Sequence, residues 1–159
     1  MHRALRHMAW SNQRVYAAVS KLPDEALGAY IANSEWTAGE ILRHIVGGAT
    51  WYVYCLGIAD WQETVRPTSM RDVDVLADQL AGFDAQILSA VDLPDALLTF
   101  EDEDRQVSVL RSTILTQAVH HATEHRAQLI DALESRGHAP ISLDDIDLWA
   151  FESFERNQR

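Results

Sequence analysis

Apolar residues recur along the chain at helical intervals, and four of these runs are long enough to predict helices. Leu5, Met8, Val15 and Val19 lie on one stripe of a helix near residues 2–20, which stops before Leu22-Pro23-Asp24. Thr37-Ala38-Gly39-Glu40 is a capping box, with threonine at the cap and glutamate three residues on. Behind it Ile41, Ile45, Gly48, Tyr52 and Cys55 form the stripe of a second helix near 38–57. A third, near 71–91, follows Pro67 and a Thr68-Ser69 start and carries Val73, Leu76, Leu80, Phe83, Ile87 and Val91. The fourth runs near 110–136, and Gly137 stands where a left-handed cap belongs.

The period changes between Asp92 and Ser108. Leu97-Leu98-Thr99-Phe100 and Gln106-Val107-Ser108-Val109 flank the acidic turn Glu101-Asp102-Glu103-Asp104, so a small hairpin or an extended loop fits. Pro140 and a Ser142-x-x-Asp145 start precede a short last helix near 145–156, whose apolar residues are Ile146, Trp149 and Phe154. Seven glycines and four prolines suit long helices on short links, and no repeat or composition break divides the chain. The expected fold is all-α: one domain over 1–159, a four-helix bundle with a short extra C-terminal helix.

Composition narrows the function more than the fold. At 159 residues the chain can bury roughly two-thirds of its unfolded surface, enough to dispense with disulfides. Its single cysteine, Cys55, reads as core. The formal charge of −11 repels phosphate backbones and anionic headgroups, so neither nucleic acid nor a membrane surface is an expected partner. The start MHRALRHMAW lacks an apolar secretory core, and the uncharged stretch from Ile45 to Ala59 is too short to span a bilayer. A reducing cytoplasm is the expected compartment.

Seven histidines carry the candidate chemistry. His2, His7 and His138 read as solvated, and His120 shares a polar strip with Thr113, Gln117 and Glu124. His121 and His125 differ: four apart, they share the core-facing stripe of Ile114, Ala118, Ala122, Leu129 and Leu133. His44 lies beside Ile45 on the core-facing side of the second helix. Three inward imidazoles can satisfy one another around a metal ion, and neutral imidazole suits Zn, Ni, Cu or Fe while leaving positions open for water or substrate. The competing reading is a set of hydrogen-bonded core histidines, since i,i+4 spacing is a weak signal in a chain with seven.

Two metal motifs fit poorly. His121-Ala122-Thr123-Glu124-His125 matches the inverted zinc-peptidase pattern, in which Glu124 would be the base, but that family takes a further acidic ligand far downstream and only 34 residues follow His125. A di-iron carboxylate bundle needs two Glu-x-x-His motifs, and the chain has none.

Several segments together resemble the DinB/YfiT-like superfamily of small metal-binding four-helix bundles. They are Trp10-Ser11-Asn12, Trp36-Thr37-Ala38-Gly39-Glu40 leading to Leu42-Arg43-His44-Ile45, and His121 to Gln128, with Gly137-x-x-Pro140 and Leu143-Asp144 beyond. His-x-x-x-His-Arg-x-Gln is the most telling piece, and its usual glycine before Gln128 is Ala127 here. The resemblance implies a divalent metal, Zn or Ni first and Fe or Mn next, held by His44, His121 and His125. Some members are thiol S-transferases or isomerases that use glutathione, mycothiol or bacillithiol. The expected function is therefore a metal-dependent enzyme joining a low-molecular-weight thiol to a small electrophile. A metal-dependent hydrolase or a non-catalytic metal- or ligand-binding bundle is the alternative.

Around such a centre Glu124 is the candidate catalytic base. Asn12, Trp51 and Arg126 are candidates for binding a cofactor, each with a packing alternative. Asn12, on the Met8–Val15 stripe, would be a buried amide bonded to another helix, and Arg126 would pair with Asp131 or with an acidic substrate group. Glu40, one turn before His44, reads as the capping acid, and Trp51, Tyr52 or Tyr54 could wall a pocket. The expected partners are a small-molecule substrate and a second copy of the chain in a homodimer.

Overall fold

A computed structural model describes residues 1–31 and 36–158. Its helices are α1 (His2–Val19), α2 (Ala38–Cys55), α3 (Met70–Ser89), α4 (Arg111–Glu134) and α5 (Leu148–Asn157), with a hairpin of β1 (Leu97–Asp102) and β2 (Arg105–Leu110) before α4. α1 packs on α3 and α4, and α2 packs on the same two, so α1 faces α2 across the bundle. Tyr16 spans that diagonal, its hydroxyl donating to the Leu42 carbonyl at 2.6 Å.

The caps explain the ends. Thr37 and Glu40 form the expected box at the start of α2, and Ser69 pairs with Asp72 in the same way at the start of α3. Gly137, at φ +83°, reverses the chain after α4 while His138 N–H donates to Leu133 and Gly137 N–H to Glu134, both at 3.0 Å. The expected stripes are buried: Leu5, Met8, Val15 and Val19 against Ile41, Ile45, Val73, Leu80, Ile87, Ile114, Leu129 and Leu133. Each such side chain contributes about 1.5–3 kcal/mol by leaving water.

The hairpin forms in antiparallel register from Leu97↔Leu110 to Asp102↔Arg105, so Glu101 and Asp102 of the expected four-residue turn belong to β1 and the turn is Glu103-Asp104. Phe100 lies on Trp51 of α2, ring centres 5.9 Å apart. Among the described residues no helix is long and apolar enough to cross a membrane.

The C-terminal helix departs from expectation. Ser142 and Asp145 do bond reciprocally, but the turn they close leads into a short 3-10 helix at Asp144–Ile146; α5 starts later, where Asp147 accepts from Ala150 N–H at 2.7 Å. The residue that α5 buries is Phe151, while Trp149 is 79% exposed and Phe154, still partly exposed, rests on Trp10 of α1. His7, expected in solvent, is half-buried under this helix: its ring lies on Phe151, and its Nε2 is 2.8 Å from the Ile146 carbonyl. Burial lowers its pKa. His138 is half-buried as well.

Candidate metal centre

The seam between α2 and α4 brings together the three histidines singled out by their faces. His121 and His125, one turn apart on α4, meet His44 of α2, and one ligand nitrogen from each lies within 4.8 Å of the others. The ring centres are 4.4–4.8 Å apart, and His121 Nε2 is 3.0 Å from His44 Nε2. All three are half-buried.

Gly48 makes this approach possible. It sits one turn after His44, and a Cβ there would fall 2.3 Å from His121 Cε1. Any side chain at this position occupies the space of the His121 ring.

Two of the rings are held neutral by their surroundings. Burial first, then repulsion from the neighbouring imidazoles, lowers His44 and His121 to about 4, with the Arg43 charge adding to the effect on His44. Both therefore keep a lone pair at neutral pH. His125 Nδ1 lies 2.7 Å from Gln128 Oε1, and an amide oxygen only accepts, so Nδ1 carries the proton and Nε2 is free to ligate. His121 Nε2 and His44 Nε2 can share one proton at 3.0 Å, and the three ring nitrogens together form a set that could hold a metal ion. An all-imidazole set of this kind could hold a divalent metal ion.

Aromatic rings border the centre. Trp36 lies 4.5 Å from His44 and 5.7 Å from His125, and Tyr52 meets His121 edge-on at 5.6 Å. Burial pushes the Tyr52 phenol up to about 12, so it keeps its proton.

The other candidate residues fall into separate places. Glu124 is exposed, as is His120; the Glu124 charge reaches Tyr52, but among the described residues no hydrogen bond joins it to the three histidines. Trp51 packs on Tyr54 and Phe100, two turns along α2 from His44. Glu40 is the capping acid and also faces Arg66 at 3.5 Å. Cys55 is buried, which drives its thiol up to about 12.

Asn12 and Arg126 belong to a buried polar chain. Arg126, 2% exposed, donates from one guanidinium nitrogen to Asn12 Oδ1 at 2.6 Å and from another to Thr123 at 3.1 Å. Asn12 Nδ2 donates to Asp84 Oδ2 at 2.9 Å. The charge facing Arg126 is thus Asp84 of α3 and not Asp131. Asp84, Gly48, Trp36 and Gln128 are the participants that periodicity did not assign to the site. Asp84 left a signal: it stands between Leu80 and Ile87 on an apolar stripe, where a carboxylate needs a partner.

Four amphipathic helices with imidazoles of the second and fourth meeting at one point define a class: small helical bundles with a three-histidine cluster able to hold a metal. The sequence profile of the DinB family matches residues 1–156, and the chain belongs to that family. Its shape is similar to the crystal structure, at 2.01 Å resolution, of a DinB-like protein from Bacillus cereus ATCC 10987. The TM-score is 0.66 at 20% identity, with 87% of this chain and 91% of the other covered, a likeness of fold. No curated protein matches the chain.

Proposed function

We propose that this bundle is a divalent-metal-dependent enzyme that joins a small thiol to a small electrophile. The observation that carries the reading is the convergence of three imidazoles within 4.8 Å, with no carboxylate among them. A divalent cation held by this set keeps its full +2 charge and, when bound, supplies the Lewis acidity that ionises a thiol or water near neutral pH.

The chain's own residues do the rest. His44 and His121 stay neutral because burial disfavours their charged forms. Gln128 orients His125 through the Nδ1 proton. Trp36 and Tyr52 give the rim an apolar wall that limits competing water. In the transfer, the thiol sulfur forms a bond to the electrophilic carbon, the leaving group departs with its electron pair, and the thiol proton passes to solvent. Hydrolysis ranks second because it needs a positioned base, and Glu124 is exposed and unbonded to the histidines among the described residues. A bundle that holds metal without turnover is the third reading.

The test is calorimetric titration of low-molecular-weight thiols into protein loaded with Zn or Ni. Thiol binding that requires the metal is the expected result. If no thiol binds the loaded protein, the transferase reading fails, and a hydrolase or a metal-binding module takes its place.

A further inference from the structure

The core leaves a small cavity against His121, bordered by Asn12 of α1, Ala49 and Tyr52 of α2, Asp84 of α3 and Ala118 of α4. Its free volume of about 10 Å³ is room for one water and no more. Two polar groups on its wall are incompletely paired. Asp84 is 2% exposed, and while its Oδ2 accepts from Asn12, its Oδ1 has no partner among the described residues. A buried oxygen left in that state costs about 1–3 kcal/mol. On His121, Nε2 meets His44 Nε2 at 3.0 Å; when His44 supplies the proton of that contact, His121 Nδ1 carries the ring's own N–H, and no side chain or carbonyl among the described residues accepts from it. Histidines that ligate metals pass that proton to a carboxylate, a carbonyl or a water, as His125 does to Gln128.

We propose that one buried water in this cavity accepts from His121 Nδ1–H and donates to Asp84 Oδ1, which makes Asp84 the positioning residue of His121. Asp84 is itself held by Asn12, which Arg126 holds in turn, so the chain of bonds runs from α1, α3 and α4 to the ring. It fixes the tautomer that leaves the His121 Nε2 lone pair for the metal, and it sets the ring's angle against Gly48. The role in metal binding rests on the ligand assignment above, whereas the water link itself does not.

The link is readable without metal. A high-resolution crystal structure of the metal-free wild type should show a water within hydrogen-bond distance of both Asp84 Oδ1 and His121 Nδ1, and ¹⁵N NMR should place the His121 proton on Nδ1. Ala49→Val fills the cavity while leaving Asp84, Asn12 and Arg126 in place. It should expel the water, mix the His121 tautomers and weaken Zn binding about ten-fold in competition with a chromophoric chelator. A dry cavity in the wild type, a His121 proton on Nε2, or a folded Ala49→Val protein that binds Zn as tightly as wild type would overturn the proposal. A wild type with the water and the Nδ1 tautomer that nevertheless binds no Zn supports the link and contradicts only the metal reading.

Discussion

Where α2 meets α4, three imidazoles turn like groups toward one another; beside them, Arg126, Asn12 and Asp84 form a chain in which donors meet acceptors. Both clusters are polar and set in one bundle, with α4 common to the two: the histidines sit half-buried between α2 and α4, the chain fully buried among α1, α3 and α4. The buried chain balances its hydrogen bonds internally apart from one carboxylate oxygen, so it serves the fold. The histidine cluster is paired less completely: His121 and His44 meet through one Nε2···Nε2 contact, and one nitrogen from each of the three rings lies within 4.8 Å of the others, where a cation could complete the set. Enclosure by itself therefore does not mark a functional site; an arrangement of donors that only a ligand completes does.

Breaking the balanced cluster should give the largest effect. Arg126→Ala strands Asp84 in the core and should cost about 3–5 kcal/mol, read as a lower urea midpoint. His125→Ala should leave that midpoint nearly unchanged in the metal-free protein, because the ring is half-buried and supports no other helix pairing.

Metal affinity should show the reverse pattern. Alanine at His44, His121 or His125 should remove most of the metal, a loss beyond the ~10–100-fold typical of losing a supporting partner. His120→Ala, on the exposed strip, should bind as wild type does. Equal loss in that variant would place His120 among the ligands and contradict the assignment of His121.

Gly48→Ala sharpens the contrast because it improves one property while damaging the other. Alanine favours the helix by about 1 kcal/mol. Its Cβ would nevertheless intrude on the His121 ring. Helicity by circular dichroism should hold while Zn affinity falls about ten-fold, or about 1.4 kcal/mol.

The smallest effect is in the pH dependence. Burial raises Asp84 to about 7 against the pull of Asn12 and Arg126, so its contribution to stability is present at low pH and lost as pH rises toward 7. His44 and His121, lowered to about 4, contribute above pH 6.5 and lose that contribution as pH falls. The two clusters oppose each other between about pH 4 and 6.5. Removing one side with Asp84→Asn should make metal-free stability rise more steeply with pH there, by at most about 1.4 kcal/mol per unit. An unchanged slope in urea melts would contradict the assignment.

Much of this was legible in the residues. The four stripes located the long helices to within two residues, because each combined 3.6-residue spacing with a local stop or start signal such as Thr37–Glu40 or Gly137. The three histidines were legible because each shared a face with aliphatic neighbours. What stayed hidden depends on partners far away in the chain. His7 is covered by a helix that begins 141 residues later, and Phe151 rather than Trp149 does the covering. Arg126 finds its counter-charge on α3, not five residues along its own helix. Gly48 looked like one more stripe position, and its meaning emerges only when the His121 ring lies against it.

X-ray absorption at the metal edge of Zn-loaded protein tests the centre most directly. The expected spectrum has one metal per chain with three imidazole nitrogens at about 2.0–2.1 Å, and His125→Ala should retain little metal, what remains having two. A protein that retains no Zn after loading, or a first shell without histidine, would contradict the account.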